Sequence, residues 1–384
     1  MKRILVLNPW RGLIGPNVGM LQLGKALLHR GYGLEIVAPE VDEMHQELRE
    51  DGANIHVAEF GKTPRTLNPL RLLGFVRANR ANIRKLADKI RETHSDLLVL
   101  NSENMLTLPK SGRLAGVPSA VIIRGIRFAE LGIFGRTYFC LQKRHVNRYM
   151  AVSETVRSCM TDAGVPEDMI AVTPNGVDTE KFSPGPSRGQ VRRELGIPAD
   201  APLVGAICHL VPRKGNHHLV EAMIEVNRAM PEAHALLIGH LPHGADPEYE
   251  ANLREMVRGE RLADRVHFMG YRKDTPDLLK AVDLLAHPSE TESFGRTIAE
   301  AMATGKAVVG FRHSAVAELI VHGKTGLLAE PFDHHEYAVH LMRLLQDVDL
   351  RDRMGHAGRE RVLECYDLKV CIERLVGELE DLIL

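Results

Sequence analysis

The stretch HPSETESFGRTIAEAMATGKAVV, residues 287–309, holds two glutamates, Glu292 and Glu300, eight positions apart. Glu292 precedes a Phe-Gly pair, and Glu300 sits inside Ala-Glu-Ala-Met-Ala. The strand-like DLLAHPS ahead of them, with Gly295 and Gly305, frames a helix that Ser293 or Thr291 could cap. The first-turn N–H groups of such a helix lack intrahelical partners and carry partial positive charge. They suit a diphosphate or sugar oxygens, and Gly295 lets a ligand approach the backbone. A carboxylate beside a diphosphate is repelled, so both acids suit hydroxyls: Glu292 those of a sugar, Glu300 a ribose diol. Taken alone, the pair reads equally as two solvated surface acids.

Arg213 and Lys214 lie in LVPRKG, a loop that follows the strand-like PLVGAICHL. Where a diphosphate leaves, negative charge grows on its oxygen, and fixed cations stabilise that state more than the ground state. Arg can grip phosphate oxygens bidentately, whereas Lys offers a point charge. An isolated Arg-Lys also reads as a solvated pair. The 19 histidines raise the question of a metal. His217-His218 and His334-His335 are adjacent pairs, expected to point apart on a helix, and no H-E-x-x-H or C-x-x-C occurs. The expectation is no metal.

These side chains need elements to place them. RILVLN reads as a buried parallel strand, MLQLGKALLHRG as a helix ending in Arg30-Gly31, and LEIVAP as the next strand. NIHVAEF, DLLVLN, SAVIIRG and RYMAVS continue the series, giving an α/β Rossmann-like domain over 1–180. TPNGVDTEKFSPGPSRG breaks the pattern as a turn and linker, with Asn175 in its Asn-Gly. PLVGAICHL, HALLIGH, VHFMGY, DLLAHPS, KAVVGF and GLLAE then form a second Rossmann-like domain over 190–365. The tail 366–384 is an amphipathic helix expected to cross back to the first domain. Two such halves make a cleft, with ligands at the carboxyl ends of the strands.

Length and composition agree with two soluble domains: 384 residues, 44% hydrophobic and 26% charged. A net charge of -1 gives no global field for nucleic acid. Five cysteines without C-x-x-C suggest reduced thiols and a cytoplasmic protein. The start is too short in apolar residues for a signal peptide, and no run spans a membrane. Residues 61–150 hold 17 Lys+Arg against 5 Asp+Glu. Within them, 68–92 combines apolar residues with Arg71, Arg77, Arg80, Arg84, Lys85 and Lys89. It reads as a patch for an anionic membrane surface or acceptor, or as a helix with solvated cations.

PSETESFGRTIAEAMATGKAVV, followed by VAELIVHGKTGLLAEPFD, resembles the signature of retaining glycosyltransferase family four. That family has the GT-B fold, two Rossmann-like domains facing a central cleft. The resemblance continues in order through RILVLN, LGKALLHRGYGLEIV, AVSETVRSCM, TPNGVDTEKF, LVPRKGNHHLVEA and VHFMGY. It implies a nucleotide-sugar donor in the second domain and an acceptor in the first. Glu292 would contact the donor sugar, Glu300 the ribose, and Arg213 and Lys214 the phosphates. Backbone around Phe294, Gly295 and Arg296 would face sugar and phosphate. Thr297 and Tyr271 belong to the same implied donor set, and Asn175 would face the cleft.

The sequence departs from the family pattern in places. Cys208-His209 stands where Gly-Arg is usual; either Arg213 supplies the charge, or a protonated His209 donates and activity falls as pH rises past its pKa. Ile14-Gly15 replaces Gly-Gly. Arg124 replaces a His that reaches the donor sugar, which implies an anionic sugar or acceptor, or else a pairing with an acid such as Glu130. Lys306-Ala307 is a milder change. The implied activity is sugar transfer with retention, from a UDP-sugar first and a GDP-sugar next, to a hydroxyl of a glycan, glycolipid or small molecule. The leaving phosphate would help deprotonate the acceptor, with no metal and no cofactor, since the nucleotide sugar is a substrate. Glu292, Arg213, Lys214 and Arg124 are the expected catalytic residues. Cell-surface polysaccharide or glycolipid synthesis at the inner face of the membrane would fit. The rival readings are a GT-B nucleotide-sugar epimerase or hydrolase, and a non-catalytic nucleotide-sugar-binding protein.

Overall fold

The computed structural model describes residues 1–11, 15–60, 69–125, 132–186, 189–241 and 246–383. It divides into two compact units: Met1–Gly176 with Lys369–Leu384, and Val177–Leu368. The first break thus falls a few residues before the expected 180.

In the first unit, strands β1 (Arg3–Leu7), β2 (Gly33–Ala38), β3 (Asn54–Val57), β4 (Leu97–Leu100), β5 (Ser119–Ile123), β6 (Arg148–Ala151) and β7 (Ile170–Val172) form one sheet. Its order is β3-β2-β1-β4-β5-β6-β7, with every pairing parallel. Parallel sheets are covered on both faces, which is why β1, β4 and β5 read as unbroken apolar runs. Their side chains are almost wholly buried. The three-residue β7 was absent from the sequence reading, being too short to show any period.

Helix Gly15–His29 packs Met20, Leu23 and Leu27 into this core. So does the last helix, Leu368–Glu380, through Leu375, Val376 and Leu379. Tyr32 donates to Glu380 at 2.9 Å, and Arg30 and Arg148 pair with Glu373 and Glu378, each at 3.3 Å. The tail therefore completes the core of the first unit.

The second unit carries β8 (Leu203–Ile207), β9 (His234–Ile238), β10 (Val266–Gly270), β11 (Leu284–His287), β12 (Val308–Phe311) and β13 (Gly326–Ala329). Their order is β10-β9-β8-β11-β12-β13, again all parallel. Val204, Leu237, Leu284, Val309 and Phe311 centre its core. Both sheets reverse strand order beside their first strand, between β1 and β4 and between β8 and β11. In such sheets the carboxyl ends at the reversal are where ligands bind.

Helix Pro69–Glu92 covers the basic segment. The side chains of 69–73 and 76–78, Arg71 and Arg77 among them, lie outside the described residues. Further along, Ile83, Leu86, Ala87 and Ile90 are buried while Arg80, Arg84 and Lys85 are exposed. Among the described residues, no helix is long and apolar enough to cross a membrane.

Candidate functional site

At the second unit's reversal point, β8 leads into Cys208, His209 and then the 3-10 turn Pro212–Lys214. Gly215 follows with φ 64°, and a Cβ there would lie 1.9 Å from the Pro288 carbonyl oxygen. Only glycine permits that approach. It seats the cationic turn directly on the loop leaving β11. The Glu290 N–H donates to the Arg213 carbonyl at 3.0 Å, fastening the two loops again.

Lys214 and Glu292 consequently meet: the ammonium hydrogen-bonds Glu292 Oε1, and each side chain is 12% exposed. His287 Nε2 lies 3.5 Å from the same oxygen. Burial alone would raise the Glu292 carboxyl, but the Lys214 charge and the His287 ring more than offset it and hold it well below the usual carboxylate range. The two sequence candidates are thus one ion pair, which spacing could not reveal. Arg213 stays exposed.

Helix Arg296–Ala303 starts as expected, but neither Ser293 nor Thr291 caps it. Its N-cap is Gly295 in the left-handed region (φ 87°), with no side-chain cap. The N–H groups of Ile298 and Ala299 close the first turn on the Gly295 carbonyl. This register gives the amides of Arg296 and Thr297 no acceptor within the helix. A glycine cap in place of a Ser or Thr cap keeps side-chain oxygen away from that end. The Phe294 ring is buried edge-on against Tyr366, so this residue offers a ligand its backbone rather than its side chain.

Glu300 lies one turn further along the same helix. Among the described residues, its carboxylate receives no hydrogen bond and forms no ion pair. Burial pushes its pKa up to about 7, against the pull of Arg296 and Lys181. Both of its oxygens therefore keep acceptor capacity for a ligand.

His209 is pushed down by burial and then by His240, whose ring it meets edge-on at 5.2 Å. A protonated His209 donor is therefore disfavoured, contrary to one of the sequence expectations. His240 in turn meets Tyr271, whose side chain is exposed, at 5.2 Å. These rings form a shelf at the carboxyl ends of β8, β9 and β10. His240 had gone unnoticed, since nothing in its spacing distinguishes it.

The first unit has its own polar cluster at the β1–β4 reversal. Asn8 and Asn101, each following its strand directly, are fully buried. Asn101 donates to Asn8, and Asn8 to Asn17, both at 2.9 Å. Arg124, after β5, donates Nε to Asn101 Oδ1 at 2.7 Å and Nη1 to Asn175 Oδ1 at 2.8 Å. A Cβ on Gly19 would lie 2.8 Å from Arg124 Nη1, so the bare glycine makes room for the guanidinium. Asn175 and Arg124, separate candidates in the sequence, are hydrogen-bond partners. Ile14 and Glu130 lie outside the described residues; Gly15 opens its helix.

One of the two histidine pairs, His217-His218, does not behave as expected, whereas His334 and His335 reach different acids, Glu221 and Glu225. The rings of His217 and His218 lie 4.0 Å apart, and both Nε2 atoms are 3.5 Å from Glu290 Oε1. Consecutive helical residues diverge by about 100° at Cβ. Imidazoles reach beyond Cβ, however, and in the first helical turn no preceding turn separates them.

Known proteins agree with this architecture. The Glycosyltransferase Family 4 model matches residues 15–181, and the Glycosyl transferases group 1 model matches residues 187–361. A D-inositol 3-phosphate glycosyltransferase of Corynebacterium urealyticum is 35% identical over 200 residues, 50% of this chain and 47% of that protein. The lipopolysaccharide core biosynthesis mannosyltransferase LpsB of Rhizobium meliloti is 33% identical over 198 residues, 49% of this chain and 55% of its own. The alignment spans about half the length of these curated relatives. Anabaena HepE, solved in complex with UDP-glucose, superposes with a TM-score of 0.83 at 24% identity, covering 100% of both chains. The chain belongs to the family-four, group 1 glycosyltransferases, with the GT-B fold.

Proposed function

We propose that this protein transfers a sugar from a nucleotide sugar to an acceptor hydroxyl, with retention at the anomeric carbon. The observation that carries this reading is Glu300: a half-buried carboxylate with no hydrogen-bond or ion-pair partner among the described residues, one turn inside a helix whose first amides lack helical acceptors. A ribose diol supplies the two hydroxyl donors such a carboxylate lacks. The diphosphate then lies at the helix N-terminus, within reach of Lys214 and Arg213. Tyr271, with His240 and His209 behind it, offers a face for the base.

In the transfer, the bond from the anomeric carbon to the β-phosphate oxygen breaks as the acceptor oxygen bonds to the same face. The acceptor proton passes to the departing phosphate. Lys214 and Arg213 stabilise the charge that develops there. Glu292, kept ionised beside Lys214, accepts hydrogen bonds from sugar hydroxyls. No metal is needed at the phosphates in this scheme, because ammonium, guanidinium and helix amides carry that task.

We take a UDP-sugar as the first donor to test and a GDP-sugar as the second. Arg124 supports an anionic acceptor or sugar, and the matched Corynebacterium relative is named for a phosphate-bearing polyol. The exposed Arg80 and Arg84 support an anionic acceptor or inner-membrane surface near the first unit. The test is donor turnover. Nucleoside diphosphate released only when acceptor is present supports transfer. Release without acceptor favours hydrolysis, and binding without turnover favours a non-catalytic role.

A further inference from the structure

We propose that His217, His218 and Glu290 form a binding site for a divalent transition cation of the zinc class, built into the second unit. Three observations point there. The donor atoms of the trio lie within 4.8 Å of one another, and both imidazole Nε2 atoms stand 3.5 Å from one Glu290 oxygen. That separation is long for a hydrogen bond, whose range ends near about 3.2 Å. It equals the spacing of two ligands on one tetrahedral ion with bonds of about 2.0–2.2 Å, which is about 3.3–3.6 Å.

His218 supplies the second observation. Its side chain is 12% exposed, and among the described residues both buried ring nitrogens lack a close hydrogen-bond partner, Nδ1 standing 3.5 Å from Glu221 as Nε2 does from Glu290. The ring is clamped between Phe332, stacked at 5.7 Å, and Phe311, edge-on at 5.3 Å. Burying an imidazole this way leaves its polar atoms unsatisfied, and a cation between His218 and Glu290 resolves the deficit at Nε2.

Tyr249 supplies the third. Its hydroxyl is 3.0 Å from His217 Nδ1. With the Nδ1–H donating to that oxygen, the lone pair of Nε2 faces Glu290, the outer arrangement that orients a metal-bound histidine. Two imidazoles and one carboxylate suit Zn²⁺ and its first-row neighbours, and disfavour Mg²⁺ and Ca²⁺, which take all-oxygen ligands.

The ion has a structural task here. Glu290 is bonded through its backbone to Arg213, so a cation on Glu290 and the Asn216–Ala229 helix ties together the segments that carry Lys214 and Glu292. A second trio, His218, Glu221 and His334, shares one ligand with the first. His334 is half exposed and belongs to a different helix, and among the described residues no outer partner sets its ring. The proposal commits to the first trio.

The inference does not depend on the sugar-transfer reading, because its readout is metal binding. The untagged full chain is titrated with Co²⁺ after chelation, following the visible d–d band of a four-coordinate ion, and Zn²⁺ is then added as competitor. One equivalent of Co²⁺ displaced by Zn²⁺ is expected, with a metal-dependent rise in Tm. His217→Ala, His218→Ala and Glu290→Gln are expected to abolish the band, and Tyr249→Phe to weaken binding about 10–100-fold. His334→Ala is expected to leave it unchanged. Glu290→Gln is a loop change that keeps size and hydrogen bonding, so its result stands even if His218→Ala misfolds. No saturable band, or a band lost in His334→Ala and kept in His217→Ala, overturns the proposal.

Discussion

Lys214 and Glu292 form an ion pair whose two side chains are each only 12% exposed. In the proposed reaction one serves the leaving phosphate and the other the sugar, so they act as a unit. Removing the ammonium leaves a desolvated carboxylate behind, which costs more than the pair contributes. Lys214→Ala is expected to lower kcat by about 10²–10³-fold, and Lys214→Arg, which keeps the charge, by less. Steady-state rates at saturating donor check this. Equal rates for Lys214→Ala and wild type would remove the pair from the mechanism.

Glu300 makes a prediction about pH. Its carboxyl holds its proton in the folded state up to about 7, against an ordinary value of 4.5. Between those values the folded chain binds more protons than the unfolded one, so stability falls as pH rises through the window. Glu300→Gln, which resembles the protonated form, is expected to stabilise the protein near pH 8 by on the order of 2 kcal/mol and to give no gain near pH 4. The same change is expected to weaken nucleoside diphosphate binding at least about tenfold. Thermal unfolding across pH, with and without nucleotide, reads both effects.

Gly215 is argued from contact. An added Cβ meets the Pro288 oxygen at 1.9 Å, and φ is 64°. Gly215→Ala is expected to cost at least about 2 kcal/mol and to displace the 212–215 turn, lowering donor affinity as well. Denaturant unfolding of the full chain measures the first effect, and nucleotide titration the second.

Arg124 is bonded to two neutral amide oxygens, those of Asn101 and Asn175. Arg124→Ala is expected to reduce kcat/KM for an anionic substrate about tenfold more than for its neutral analogue. Arg124→Lys should recover part of the difference. An equal loss on both substrates would assign Arg124 to holding Asn175 in place.

His209, held down by burial, is expected to be neutral at working pH. Accordingly, His209→Asn should leave the alkaline limb of the pH–rate profile where it is. A limb that vanishes in that variant would restore the protonated-donor reading.

Much of the scaffold was legible in the chain because parallel strands buried on both faces must be apolar throughout. RILVL, LLVL and HALLI declare themselves, and polar residues just beyond them mark the ligand-binding ends. The helix after Gly295 was legible from its glycines, and Glu300 from its apolar company. What escaped was pairing between distant segments. Lys214 and Glu292 are 78 positions apart, and only the contact of Gly215 with Pro288 brings them together. The same contact lifts Glu290 to the His217 and His218 rings. The cap was misjudged because Ser293 and Thr291 have the right chemistry, while the left-handed backbone of Gly295 had already turned the chain into the helix. Asn8 and Asn101 looked like mere strand ends until the Arg124 guanidinium joined their network.

The most direct test is a crystal structure of the full chain soaked with a nucleoside diphosphate. The account predicts the diphosphate at the amides of Gly295, Arg296 and Thr297 with Lys214 on its terminal phosphate, and both ribose hydroxyls on Glu300. A nucleotide bound in any other position, or a Glu300 carboxylate facing away from the ribose, would contradict it.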